Sequence, residues 1–186
     1  VDGTAERFVQ FSCGLDTAYS AKSADTLAFS FIGVTDRRRV FVLDELVFNN
    51  AELSVPIAPS DTVRRLVEFA QRCGEEWGIT RELFIDSADA ATLTECAKYK
   101  RANGCFFNFN PAWKKMKILD RINLQLGWFA HDEMIVCADC RVYISELERY
   151  CWQEGSGNVP EDGNDHMINS VQYAFLPYVG MIGGTT

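Results

Sequence analysis

The order of the hydrophobic patterns limits this fold more than any single residue does. Three apolar, β-rich runs come first, over residues 8–15, 25–34 and 39–48, and Thr35-Asp36-Arg37 lies between the last two. Connections that short join neighbouring strands antiparallel, so the runs predict a three-strand meander. The period then lengthens. Val63, Leu66, Val67, Phe69 and Ala70 recur at helical spacing behind a cap at Ser60 or Asp61, and that helix finishes around Gly74 to Gly78. Strand and helix alternate from there: a strand over 81–86, a helix opened by Asp89 or Thr92 and stopped by Asn103-Gly104, a strand over 105–109, and a helix over 113–126. The helix over 113–126 carries Met116, Ile118, Leu119, Ile122 and Leu126 on its apolar side. A short strand over 134–137, a helix over 141–152, a polar loop over 153–163 and a final helix from near Asn164 towards Pro177 complete the chain. A meander followed by alternation predicts an α/β domain with a mixed central sheet and helices on both faces.

At 186 residues the chain has the size of one domain, taken as residues 1–186. Hydrophobic residues make up 47% and charged residues 24%, which excludes disordered and fibrous classes. No apolar run approaches the roughly 18 residues of a membrane span, so no membrane partner is expected. The opening Val1-Asp2-Gly3-Thr4 has neither an initiator Met nor a signal peptide, and the chain reads as a fragment of something longer. A phosphate-binding G-x-x-x-x-G-K-[ST] loop is missing, which excludes ATP binding of that kind.

Net charge is −8, against a surface wholly wrapped in nucleic acid, but the charge is unevenly spread. Residues 98–121 hold seven basic side chains and one acid, whereas residues 129–165 hold nine acids and two arginines. The first segment can approach a polyanion; the second can hold cations or face water. Seven cysteines, mostly inside hydrophobic runs, suit buried thiols in a reducing compartment. Cys137-Ala-Asp-Cys140 has metal-pair spacing and could recruit His131 and Cys151, although a lone pair of this kind is a weak zinc signal.

Asp16 and Asp86 close the first and fourth strands, in Gly14-Leu15-Asp16 and Ile85-Asp86-Ser87. If those strands are neighbours, the two carboxylates meet and need a cation, a shared proton or a basic partner. Hard oxygen ligands suit Mg²⁺ or Mn²⁺. Each Asp can equally end a strand and start a turn. The last helix adds Asp165, His166 and Asn169, spaced to share or border one face; Asn164 or Asp165 can also be its N-cap, and His166 a structural residue.

Gly14-Leu15-Asp16, Ile85-Asp86-Ser87-Ala88, Lys114-Lys115, Glu146-Leu147-Glu148-Arg149-Tyr150-Cys151-Trp152, and Asp162-Gly163-Asn164-Asp165-His166 followed by Tyr173-Ala174 occur in one order along the chain. That order resembles the nuclease domain of phage terminase large subunits, across nearly the whole chain. The resemblance implies a ribonuclease H-like fold, consistent with the element order. It also implies a domain that follows an ATPase motor domain in the same polypeptide and cuts concatemeric phage DNA during packaging with divalent metals. By position, Asp16 and Asp86 look like the strand-end ligands and His166 like the histidine of the family's D-H-x-x-D-A motif. At Asn169-Ser170 the family usually has an acid followed by Ala. An amide oxygen can coordinate Mg²⁺ but brings no charge, which points to a more weakly held second metal or a shifted role for Asp165.

The resemblance implies two Mg²⁺ or Mn²⁺ ions, with Asp16 bridging both, Asp86 on one, and His166 with Asn169 on the other. Lys115, or its neighbour Lys114, would offset phosphate charge. Expected partners are double-stranded DNA bound without sequence preference, the ATPase domain, the portal and the small terminase subunit, in the cytoplasm of an infected or lysogenic host. Two rivals stand beside this reading. One is a junction resolvase or transposase core on the same acids; the other is a catalytically silent module serving motor assembly.

Overall fold

The structure is a computed structural model that describes residues 5–18, 26–150 and 165–184. Strands β1 (Phe8–Ala18), β2 (Thr26–Thr35) and β3 (Val40–Asn49) form the predicted antiparallel meander, with Cys13 opposite Phe31 and Asp16 opposite Ala28. Strand β4 (Glu82–Ile85) pairs parallel with β1, β5 (Asn108–Pro111) with β4, and β6 (Met134–Val136) with β3. The six-strand order is therefore β5-β4-β1-β2-β3-β6, a mixed ribonuclease H-like sheet.

Strand alternation divides the core in two. Cys13, Leu15, Leu27, Phe29 and Phe31 meet α1 (Pro59–Glu76), through Val63, Leu66, Phe69 and Ala70, on one face, where Cys96 of α2 (Ala90–Asn103) also packs. Ala28, Ile32, Val34, Val40 and Val42 form the other face with Trp128 of α3 (Ile118–Ala130), Tyr143 of α4 (Arg141–Arg149), and Met167, Val171 and Phe175 of α5 (His166–Phe175). Asp89 caps α2 by accepting the Thr92 N–H at 2.9 Å, and Gly104 closes it at φ 57°. The predicted caps Ser60 and Asp61 do not start α1. Pro59 sits inside its first turn, where its missing N–H costs nothing, and Ala58 precedes it.

Two predicted elements are displaced. The strand expected over 105–109 lies at Asn108–Pro111, and its ladder runs on past Pro111 through the Ala112 N–H to the Ile85 carbonyl, 2.6 Å. The helix expected over 113–126 begins at Ile118, so Lys114 and Lys115 lie on a loop. Its predicted apolar stripe is buried only in part: Ile122 is buried and Met116 packs on the core, but Ile118 and Leu126 are exposed, while Arg121 and Gln125 are buried. Arg121 donates to Gln172 (3.0 Å), Gln172 to Gln125 (2.7 Å) and Gln125 to the Tyr143 hydroxyl (2.8 Å), a polar chain that ties α3 to α5 and α4 and leaves the buried Arg121 Nε without a partner among the described residues.

The end of α4 falls at Arg149, and α5 passes at Leu176 into a 3-10 turn that carries Pro177. Cys151, Trp152 and the predicted 153–163 loop lie outside the described residues. Cys140 is buried, with its thiol 3.7 Å from the Val42 carbonyl, and His131 bonds the Gly127 carbonyl at 2.7 Å. Distant carboxylates serve two helix starts: Glu45 accepts the Val142 and Tyr143 N–H groups at 2.6 and 2.9 Å, and Glu146 accepts the Ile168 N–H at 2.9 Å.

Helix α5 crosses β1 at Gly14, where a Cβ would stand 1.8 Å from the backbone carbonyl oxygen of Ser170. No rotamer relieves a clash with backbone, so Gly14→Ala must push α5 off the sheet. A loss of more than about 3 kcal/mol in urea denaturation is expected. A loss below about 1 kcal/mol would contradict this contact.

Candidate active site

Register brings the two predicted acids together. Leu15 pairs with Ile85, and the Asp86 N–H continues that ladder to the Leu15 carbonyl at 3.0 Å, so Asp16 and Asp86 are neighbours on adjacent strands. Because Leu15 and Ile85 point into the α1 core, the acids point to the α5 face. They are 4% and 9% exposed.

Three groups answer their charge. His166, the first residue of α5, has its Nδ1 3.2 Å from Asp16 Oδ2. Lys114 makes an ion pair with Asp86 Oδ1, an oxygen that also accepts the Ala88 N–H at 2.7 Å, and its ammonium lies 4.9 Å over the Tyr173 ring. The buried Tyr173 hydroxyl stands 3.5 Å from Asp86 Oδ2 and within hydrogen-bonding reach of Asp16. Burial pushes the Asp16 carboxyl upward and the charge of Asp86 adds to this, against the His166 and Tyr173 hydrogen bonds. The bond to Asp16 raises His166 against its own burial. Tyr173 is held neutral by burial and by both carboxylates.

Of the residues singled out in the sequence, Asp16, Asp86 and His166 converge. Asn169 lies half-buried one turn into α5, its N–H bonded to the Asp165 carbonyl at 2.8 Å, and Asp165 occupies the N-cap position. Lys115 is exposed; the lysine seated on an acid is Lys114. Sequence reasoning gave Tyr173 no role, although His166, Ser170 and Tyr173 at i, i+4 and i+7 make one helical stripe. Glu146, whose backbone bonds hold the start of α5, was likewise assigned none.

Among the described residues no group of three or more His, Cys, Asp and Glu side chains is arranged to hold a metal ion. The donor chemistry nonetheless fits one hard cation. Two buried carboxylates share a field, and the ammonium of Lys114 is already drawn to one of them.

The same arrangement of elements recurs in solved structures. The large terminase of the thermophilic bacteriophage D6E, in complex with ATP-γ-S, matches with TM-score 0.72 and 14% identity over 91% of this chain, which spans 40% of that protein's length. The large terminase nuclease of the thermophilic phage G20c with bound magnesium matches with TM-score 0.57 and 14% identity, over 93% of this chain and 87% of that one. The large terminase nuclease domain of Thermus phage P74-26 gives 0.59 and 16%, over 98% and 90%. The chain has the large-terminase nuclease fold. The G20c nuclease was also solved with bound cobalt and with bound zinc. No protein-family model and no curated protein matches the chain. Among the described residues of this terminase-like fold, no helix is long and apolar enough to cross a membrane.

Burial pushes Glu146 up to about 7. The native chain then keeps a proton that the unfolded chain releases from about pH 4.5 upward, so this group favours folding at low pH and its contribution is lost as pH rises through about 7. Glu146→Gln cannot titrate and still accepts one backbone N–H. Its urea midpoint should fall less than the parent's between about pH 5 and about pH 7.5. Parallel profiles would refute the burial of this carboxyl.

Proposed function

We propose that this chain is the nuclease domain of a phage large terminase, hydrolysing phosphodiester bonds of concatemeric double-stranded DNA during genome packaging with Mg²⁺ or Mn²⁺. The observation that carries the reading is the buried pair Asp16 and Asp86 on adjacent strands, in a fold shared over most of its length with large terminase nucleases. In the full polypeptide an ATPase domain would supply DNA, and the portal and small terminase subunit would dock the motor in the host cytoplasm. Binding would be electrostatic and indifferent to sequence.

Asp16 and Asp86 would hold a divalent cation. A second would draw on His166, Asn169 and Asp165. Cations held there supply activated water and offset charge on the leaving 3′ oxygen. His166 orients Asp16 through its Nδ1 contact, and Tyr173 fixes both carboxylates from the helix side. Lys114, seated on Asp86, and Lys115 beside it on the same loop would offset phosphate charge. Asn169 contributes an amide where a carboxylate would bind a cation more strongly.

Plasmid nicking in Mg²⁺ and in Mn²⁺ tests the assignment. Asp16→Ala should reduce cleavage at least about a hundredfold while leaving the fold intact, and Asn169→Asp should raise it or lower the metal concentration required. A folded chain that stays inert in both metals, with or without an acid at 169, would favour the assembly-module reading. Strong preference for four-way junctions over linear DNA would favour the resolvase reading.

A further inference from the structure

The loop between β5 and α3 carries an aromatic surface that the core does not use. Trp113 is 42% exposed, whereas Trp128 is 4% exposed. Its neighbours in sequence are exposed Lys114, Lys115 and Lys117. An indole left in water forgoes the stabilisation of burial, and Lys115 and Lys117 add exposed positive charge to the same loop. The loop is nonetheless anchored on both sides of the ring. Ala112 is buried against Phe84 and Tyr173, with its N–H on the Ile85 carbonyl at 2.6 Å. Lys114 is bound to Asp86, and Met116 packs on the α5-side core. Trp113 is thus held about 3.8 Å along the backbone from a residue that touches the acid pair.

We propose that Trp113, with Lys114, Lys115 and Lys117, is a stacking platform for an unpaired nucleotide of the DNA strand presented to Asp16 and Asp86. Locally unpaired DNA is then the preferred substrate. This rests on the nuclease reading and adds a substrate class to it. The ammonium groups neutralise backbone phosphates on any DNA. The indole discriminates, because it offers a π-face that only an unstacked base can cover; bases in continuous duplex already cover one another.

The test is metal-free binding of the 186-residue chain, in EDTA, to three fluorescein-labelled DNAs: a continuous duplex, the same duplex with a short single-stranded gap, and a single strand. The parent chain should bind the gapped and single-stranded probes more tightly than duplex. Trp113→Ala should weaken binding to those two probes about tenfold and to duplex less than about twofold. Trp113→Phe should retain most of the preference, with less quenching of tryptophan emission on binding than in the parent. Equal losses on all three probes, no loss on any, or an absence of binding to gapped DNA by the parent would overturn the proposal. Cleavage in Mn²⁺ separates it from the reading it rests on. Cutting without a preference for unpaired DNA overturns the platform alone, whereas the preference in a chain that does not cut supports the platform and overturns the nuclease.

Discussion

The contact between Gly14 and the Ser170 carbonyl sets most of what surrounds the two acids. With no Cβ on β1 at that point, α5 settles directly on the sheet, closer than any side chain would allow. Ser170 is fully buried there, and its hydroxyl donates to Ser30 Oγ at 2.9 Å, which removes the cost of placing two hydroxyls in the core. Since His166, Ser170 and Tyr173 share one helical stripe, seating the middle residue also delivers the outer two. One turn before Ser170 the imidazole reaches Asp16; one turn after it the phenol reaches the carboxylates.

That geometry creates an electrostatic problem and supplies part of its solution. Two carboxylates on adjacent strands, both more than nine-tenths buried, cannot both remain charged without nearby cations or donors. In the structure His166 answers Asp16, Lys114 answers Asp86, and Tyr173 serves both. Lys114 differs from the others because it comes from a loop and keeps a third of its side chain in solvent, so it can leave without unpacking the core. An anchored helix and a partly solvated lysine thus share the charge of the two acids.

The meander, the first two helices and the pair of acids were legible because local signals there agree with tertiary structure. Alternation selects the β2 faces, Asp89 and Gly104 bracket α2, and strand-end acids follow from β1 lying beside β4. The segment from Cys105 to Leu126 was misread where those signals conflict. The aromatic run at Phe106 and Phe107 looks like strand, yet Phe106 is half exposed and pairing begins at Asn108. Met116, Ile118, Leu119, Ile122 and Leu126 look like one apolar face, and Ile122 is indeed buried, but the neighbours of α3 also present Gln172 and Tyr143, so α3 turns Arg121 and Gln125 inward and leaves Ile118 and Leu126 in water. A hydrophobic period reports the full core-facing stripe only when the surface it meets is apolar throughout. The helix start predicted at Trp113 likewise placed Lys114 on a helix and not on the loop that seats it, rather than Lys115, on Asp86.

Asn169-Ser170, where the resembling family has an acid and Ala, then divides into two unlike changes. Ser170 has a local account: its partner Ser30 lies across the Gly14 contact, so the hydroxyl is satisfied and the close approach is preserved. Asn169 has an electrostatic one. The start of α5 already borders Asp16, Asp165 and Glu146, and burial has pushed Glu146 up to about 7. A further carboxylate at 169 would raise the cost of that cluster whenever no cation is bound, and an amide avoids the charge while keeping an oxygen donor. On the proposed reading, stability of the metal-free fold and strength of metal binding would pull residue 169 in opposite directions, and Asn169 would favour the former.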